Sequence, residues 1–329
     1  MRDLYPLLMT PLFDPRPWGT YDLSPIYPQH FHEKIGESWL TGDQCRVQNG
    51  ALAGKALQEL ASHYKRELIG DAPADEGRFP LLAKFLFPHE KLSVQVHPDD
   101  EGARRHGEPN GKTECWYVHS AQPGAQIALG LKPGATLAQL ERAIAETRAE
   151  ELLNWIDLTP GDLIYVDAGT VHTIGPGSVL VEVQQNSDLT YRLYDYGRPR
   201  KLHLREAFDV IKEKTFAGKI PPSGSNGNLN LITAPWFVVN KRTLTESKEH
   251  LITRHMPPYS VQIVVALEGS GFVLAKDREP VRFSRGEVVV VPASINNFRV
   301  RPEKNLEYLH VCLPQDEVKV PQSVPSDQK

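Results

Sequence analysis

Two stretches far apart in the chain follow one template, and this repeat limits the possible fold more than any other feature. PGDLIYVDAGTVHTI (Pro160 to Ile174) and SRGEVVVVPASINNFR (Ser284 to Arg299) each run glycine, acidic residue, apolar strand and small turn, then a polar residue eleven positions after the glycine. In the first copy the turn is Asp167-Ala168-Gly169 and the last residue is His172; in the second they are Pro292-Ala293-Ser294 and Asn297. Repetition of this kind marks a duplicated structural unit, so it predicts two related β-domains. Only the first copy has the histidine. A metal bound through that position is therefore expected in the first domain alone.

The rest of the chain agrees with a mainly β protein. Its 329 residues suit about two domains. Gly (24) and Pro (27) bracket short runs rich in Val, Ile and Leu, which is the punctuation of strands and turns. LLAKFLF, GDLIYVDA, GSVLVEVQ, YSVQIVVAL, GSGFVLAK and GEVVVVPA read as strands. Helices are expected at Ala135 to Ile156, where Leu137, Leu140, Ile144 and Leu152 fall near helical spacing, at His203 to Glu213, and around Gly54 to Leu68. PPSGSNGNLN (Pro221 to Asn230) is the clearest break in composition and places a domain boundary, giving 1–220 and 221–329. The tail VPQSVPSDQK reads as polar and frayed.

Charge and cysteine content exclude several classes. The net charge is -4, from 37 basic and 41 acidic residues, and no basic block invites nucleic acid or an anionic membrane. No apolar run approaches the roughly 20 residues that span a bilayer. The start has no apolar segment of a signal peptide. Cys45, Cys115 and Cys312 are an odd set with no CxxC, as in a reducing cytosol. A cytoplasmic, soluble protein is expected, monomeric or homodimeric.

A second feature points to chemistry. KLSVQVHPDD (Lys91 to Asp100) opens as a strand, with Leu92, Val94 and Val96 on one face and Gln95 and His97 together on the other, until Pro98 ends it. Ser93 shares that polar face. Glu114, in GKTECWYV, follows on the next strand, and Cys115 points to the opposite face. With His172 these give two imidazoles, a carboxylate and an amide oxygen. Two His and one Glu form a common set for a catalytic divalent metal with an open position; zinc accepts it, as do iron, manganese and cobalt. A lone strand histidine is more often packed or solvated than a ligand, and His106, His119 and His203 are read that way. The combination of QxH, KxE and GTVH is what favours a metal.

The glycine-strand-glycine-histidine template resembles the second cupin motif, and QVH with Glu114 resembles the first with a long insertion. More specifically, IGESW, PLLAKFLF, KLSVQVHPDD, GKTECWYV, AGTVHTIGPG and VEVQQNSDLTYRLYDYGR resemble the successive motifs of type I phosphomannose isomerases in their short bacterial form, from Pro17-Trp18-Gly19 to about Arg205. The resemblance implies two cupin (jelly-roll) β-barrels with a small helical portion, and interconversion of mannose 6-phosphate and fructose 6-phosphate with one bound zinc. It implies Gln95, His97, Glu114 and His172 as ligands, Arg192 as the catalytic arginine, Lys112 as the active-site lysine, and Lys84 and Ser93 near the substrate phosphate. Glu182 and Asp188 are further implied site residues. The second barrel is expected to bind no metal.

Such an isomerisation moves a proton between C2 and C1, most simply through a cis-enediol. Arg192 would supply a positive charge that persists at working pH; otherwise it forms a salt bridge to Asp188 or Asp195. Glu182 and Lys112 are both candidates for carrying the proton, and Glu182 is otherwise a partner of Arg192. Lys84, between Ala83 and Phe85, must turn outwards or meet an anion. Arg198 is a further phosphate candidate. The alternative function is a sugar-phosphate-binding cupin without turnover, which could dispense with Arg192 or Lys112; a metal-dependent oxygenase is a second, disfavoured by Gln95 and the cationic groups.

Overall fold

A computed structural model describes residues 4–71, 77–246, 248–253 and 259–314. The tail VPQSVPSDQK lies outside the described residues. The protein is mainly β, and among the described residues its antiparallel strands form three sheets. The first has seven strands, in the spatial order Gly218–Ile220, Leu163–Val166, Glu114–Ala121, Ser178–Gln185, Leu81–Leu86, Tyr27–Trp39 and Leu12–Leu23. The second has five, in the order Tyr191–Tyr194, Val94–Val96, His172–Ile174, Gln126–Leu131 and Leu153–Asp157.

Alternation of side chains decides how these sheets pack. Leu86, Trp116, Ile164 and Leu180 of the seven-stranded sheet meet Ile127, Leu129 and Ile174 of the five-stranded sheet in one apolar cluster. The two sheets therefore lie face to face. The outer face of the smaller sheet, with Val94, Val96 and Ala128, is covered by Leu140 and Ile144 of helix Leu137–Ala145 and by Ala207 and Val210 of helix Leu204–Val210. The outer face of the larger sheet, with Phe85, Tyr117, Tyr165 and Val183, joins Val265, Val290 and Leu309 of the third sheet in the main core.

That third, ten-stranded sheet holds the strands from Ser223 to Cys312, together with Leu7–Thr10 and Arg46–Val47. Leu7 pairs with Val290 and Leu8 with Val289, so the first strand of the chain lies in the sheet of its last hundred residues. Pro221 to Asn230, the break in composition, folds as a hairpin: Ser223–Ser225 pairs with Asn228–Thr233 around Asn226 and Gly227, both at positive φ (52° and 75°).

Two elements differ from the sequence expectation. The helix at Ala135 to Ile156 is shorter. It starts at a Thr136 cap, whose side chain accepts from Gln139 N, and ends at Ala145. Thr147 turns to φ 58°, a 3-10 turn covers Ala149–Leu152, and Leu153–Asp157 is a strand paired through Trp155 with Ala128. Pairing with the sheet edge buries Leu153 completely and overrides the local helical preference. Conversely, the two strands expected in YSVQIVVAL and GSGFVLAK are one, Gln262–Ala275, bulged around Glu268 to Gly271. The glycine marks a bulge rather than an end. Among the described residues no helix is long and apolar enough to cross a membrane.

Candidate metal centre and the cavity above it

The facing sheets carry polar side chains at one end of their shared interior. Strand alternation that points Leu86, Trp116 and Leu180 inward also points Lys84, Glu114 and Glu182 inward. Register then sets them side by side: Glu182 lies opposite Lys84 on one neighbour and opposite Trp116 on the other. In the smaller sheet His172 lies opposite Gln95, and Gln95 opposite Arg192.

His97, Glu114 and His172 converge, each about 1% exposed, with one potential ligand atom apiece within 4.8 Å of the others. Glu114 Oε1 lies 3.4 Å from His172 Nε2 and 3.7 Å from His97 Nε2, and has no hydrogen-bond partner. The other ring nitrogens face carbonyls: His97 Nδ1 is 2.7 Å from Leu189 O and His172 Nδ1 is 2.9 Å from Thr170 O. A carbonyl only accepts, so each Nδ1 carries the hydrogen and each Nε2 presents a lone pair to the centre. Burial holds the imidazoles neutral, His172 down to about 4 and His97 well below the usual range. Burial, reinforced by Glu182, pushes the Glu114 carboxyl up to about 7. Gln95 completes the sequence set, but its amide nitrogen faces His172 Nε2 at 3.2 Å, while its oxygen accepts from Ser93 Oγ at 3.1 Å.

Above this group opens a cavity of about 290 Å³. Lys112, Glu182, Lys84, Ser93, Asp188 and Arg192 all line it. Lys112 Nζ lies 2.8 Å from Glu114, 3.5 Å from Glu182 and 3.3 Å from His97 Nε2. Lys84 neither turns outwards nor stands free: it is buried between Glu37 (3.2 Å) and Glu182 (3.1 Å). Burial works against its charge, but the two carboxylates outweigh burial and hold its pKa above the usual lysine range.

Arg192 is not in a salt bridge with Asp188 or Asp195. Asp188 faces Arg16 at 3.6 Å, and Asp195 is taken by Arg198 and Arg200. Arg192 donates to Lys201 O at 3.0 Å, and its Nε is buried without a partner. Nor does Glu182 pair with Arg192; Trp116 Nε1 donates to it at 2.8 Å, and Lys84 and Lys112 flank it. Arg198 does not line the cavity: it donates to Asp195 and to Lys91 O, and Arg200 lines the wall instead. Cys115 points away from the centre, into the main core.

Sequence reasoning passed over Arg16, Glu37 and Arg200, all of which line the cavity. Glu37 sits inside IGESW and Arg16 two residues before Trp18. The available signal was a glutamate on a strand, flanked by Gly36 and Ser38, whose side chain needed a buried partner.

The chain resembles known proteins in both sequence and fold. Residues 24–129 match the model of the type I phosphomannose isomerase catalytic domain. Mannose-6-phosphate isomerase ManA of Bacillus subtilis is 34% identical over 310 residues, covering 90% of this chain and 95% of that protein. Mannose-6-phosphate isomerase of Streptococcus mutans is 35% identical over 280 residues, covering 81% and 85%. The crystal structure of mannose 6-phosphate isomerase from Bacillus subtilis superposes with a TM-score of 0.82 at 31% identity, covering 94% of this chain and all of that one. Aligned over nine-tenths of its length with such a relative, and folded like its crystal structure, the chain belongs to the type I phosphomannose isomerase family and is an enzyme of that class.

Proposed function

We propose that the chain interconverts mannose 6-phosphate and fructose 6-phosphate, with the hexose phosphate seated in the cavity above His97, Glu114 and His172. The observation that carries this reading is a cavity lined by Lys112, Glu182 and Arg192 that opens beside a buried His-Glu-His group: Lys112 joins the two, lying against Glu114 and His97 as well as Glu182, and Arg192 has no ion pair among the described residues. The relatives named as mannose-6-phosphate isomerases support the same substrate pair.

We assign one zinc ion per chain to His97 and His172 through Nε2, to a carboxylate oxygen of Glu114, and to Gln95. The donor chemistry fits: two neutral imidazoles and a buried carboxylate oxygen without a hydrogen-bond partner form a set zinc takes while keeping a position open. Gln95 joins through its oxygen after a half-turn of the amide, which Ser93 accommodates because a hydroxyl both donates and accepts. When bound, the ion supplies a Lewis acid that polarises substrate oxygens.

The protein's own groups do the rest. Lys112 and Glu182 keep a proton donor and an acceptor together beside the reacting carbons, and carry the proton between C2 and C1 through a cis-enediol. Arg192 places a permanent charge where negative charge develops. Arg200 lines the cavity wall and shares Asp195 with Arg198, two cations to one carboxylate, so the phosphate is assigned to Arg200. Lys84 is already neutralised by Glu37 and Glu182 and takes no phosphate charge. Ser93 and Asp188 are left to the sugar hydroxyls. The buried thiols of Cys45 and Cys115 suit a reducing cytoplasm.

A coupled assay with mannose 6-phosphate, with and without chelator, tests this. Turnover that disappears with chelator and returns with zinc is expected. Binding of the sugar phosphate without turnover would replace the isomerase with a sensor.

A further inference from the structure

A row of charges, alternating in sign, runs from the cavity rim to the buried triad. Arg16 Nε donates to Glu37 Oε1 at 3.0 Å, and a terminal nitrogen reaches Oε2 at 3.4 Å. Glu37 faces Lys84 at 3.2 Å, Lys84 faces Glu182 at 3.1 Å, Glu182 faces Lys112 at 3.5 Å, and Lys112 faces Glu114 at 2.8 Å. An indole steadies each middle carboxylate: Trp39 Nε1 donates to Glu37 and Trp116 Nε1 to Glu182, both at 2.8 Å. Arg16 is half-buried at the rim; the five charges inside it are buried.

The weak point of this row is Glu182, whose Oε1 serves both lysines. It stays within reach of both, 3.1 Å from Lys84 and 3.5 Å from Lys112, only while another anion takes part of the charge on Lys84. Glu37 is that anion. Remove its charge, and attraction in a dry interior draws Glu182 towards Lys84 and away from Lys112. We propose that Glu37, braced by Arg16, is a positioning residue for the isomerisation: it neutralises Lys84 from the rim side and so keeps Glu182 in place beside Lys112. This rests on the isomerase reading above, because it concerns the pair assigned to proton transfer. It differs from a purely structural ion pair in acting on turnover at full folding.

The test uses zinc-loaded full-length protein, with zinc content, urea unfolding and steady-state kinetics on mannose 6-phosphate measured for each variant. Glu37→Gln is expected to lower kcat about ten- to a hundredfold, with KM within about threefold and zinc content unchanged. Glu37→Asp keeps the charge and should recover most of that loss. Arg16→Met should lower kcat less, and the double variant should match Glu37→Gln, because Arg16 acts through Glu37. The proposal is overturned if Glu37→Gln stays within about twofold of wild-type kcat, if its loss merely follows a smaller folded or zinc-loaded fraction, or if the two substitutions multiply. Should Glu37→Gln not fold, an Arg16→Met variant with unaltered kcat overturns it alone. A wild-type protein that holds zinc without turning over removes the isomerase reading itself, and this inference with it.

Discussion

At the scale of single residues, the side chains of this cavity divide by whether their charge is already balanced. Arg192 is the cation whose buried Nε has no partner and whose neighbouring carboxylates are engaged elsewhere. Arg192→Ala should therefore retain zinc and lose about 10²–10³ in kcat, whereas His172→Ala should lose metal and turnover together; elemental analysis beside the coupled assay separates the two. Near-normal rates in Arg192→Ala would remove its charge-stabilising role. Lys84 is the opposite case. Lys84→Met leaves Glu37 and Glu182 without the cation between them, and should destabilise by about 3–5 kcal/mol in urea unfolding. A stable variant with only a raised KM would return Lys84 to the phosphate. The candidate ligands were legible in the sequence because strand alternation and the repeat alone bring Gln95, His97 and His172 to notice. The partners of Lys84 and Glu182 were not legible, because register between strands about a hundred residues apart decides them.

At the scale of elements, the same limit explains which segments read correctly. Short strands such as Leu81–Leu86 and Val288–Val291 carry their own Gly, Pro and Val signals. The helix after Ala135 ended early because an edge strand competed for Leu153 and Trp155, a contact invisible to local periodicity. Gly269 misled by looking like a terminator. It lies at φ 78°, and a Cβ there would meet Asn305 O at 1.9 Å. Gly269→Ala should cost at least about 1–2 kcal/mol, measured by urea unfolding; a neutral result would mean the bulge relaxes freely. The strand His250–Thr253 supplies a pH test. Burial, helped by Arg242, lowers His250 to about 4, and its Nδ1 lies 2.5 Å from Tyr308 Oη. An unfolded histidine titrates near about 6.5, so between these values the unfolded chain binds more protons. Stability from this site is present above about pH 6.5 and is lost as pH falls towards 4. Thermal melts should show a shallower decline across that window for His250→Gln than for wild type. Equal slopes would mean that His250 does not contribute to the acid response.

At the scale of the whole molecule, the repeat leads to an expectation of two β-domains, and the main core runs across the boundary expected between them. On the outer face of the seven-stranded sheet, Phe85, Tyr117, Tyr165 and Val183 share one buried core with Val265, Val290 and Leu309 of the third sheet. Leu7–Thr10, at the start of the chain, is a strand of that third sheet, with Val288–Val291 as its neighbour. A division at residue 220, which composition invites, cuts through this core. A fragment of residues 1–220 would keep every candidate ligand yet expose that face and leave Leu7–Thr10 paired with Arg46–Val47 alone, and a large exposed apolar patch favours association over folding. The fragment is therefore expected to aggregate, or to show strand content without a cooperative melt, and to hold less than one zinc per chain. Co-expression with residues 221–329 should restore both, because the missing cover is then supplied in trans. If residues 1–220 melt cooperatively alone and bind zinc, the second unit is dispensable to the site, and the shared core adds stability without being needed to form it.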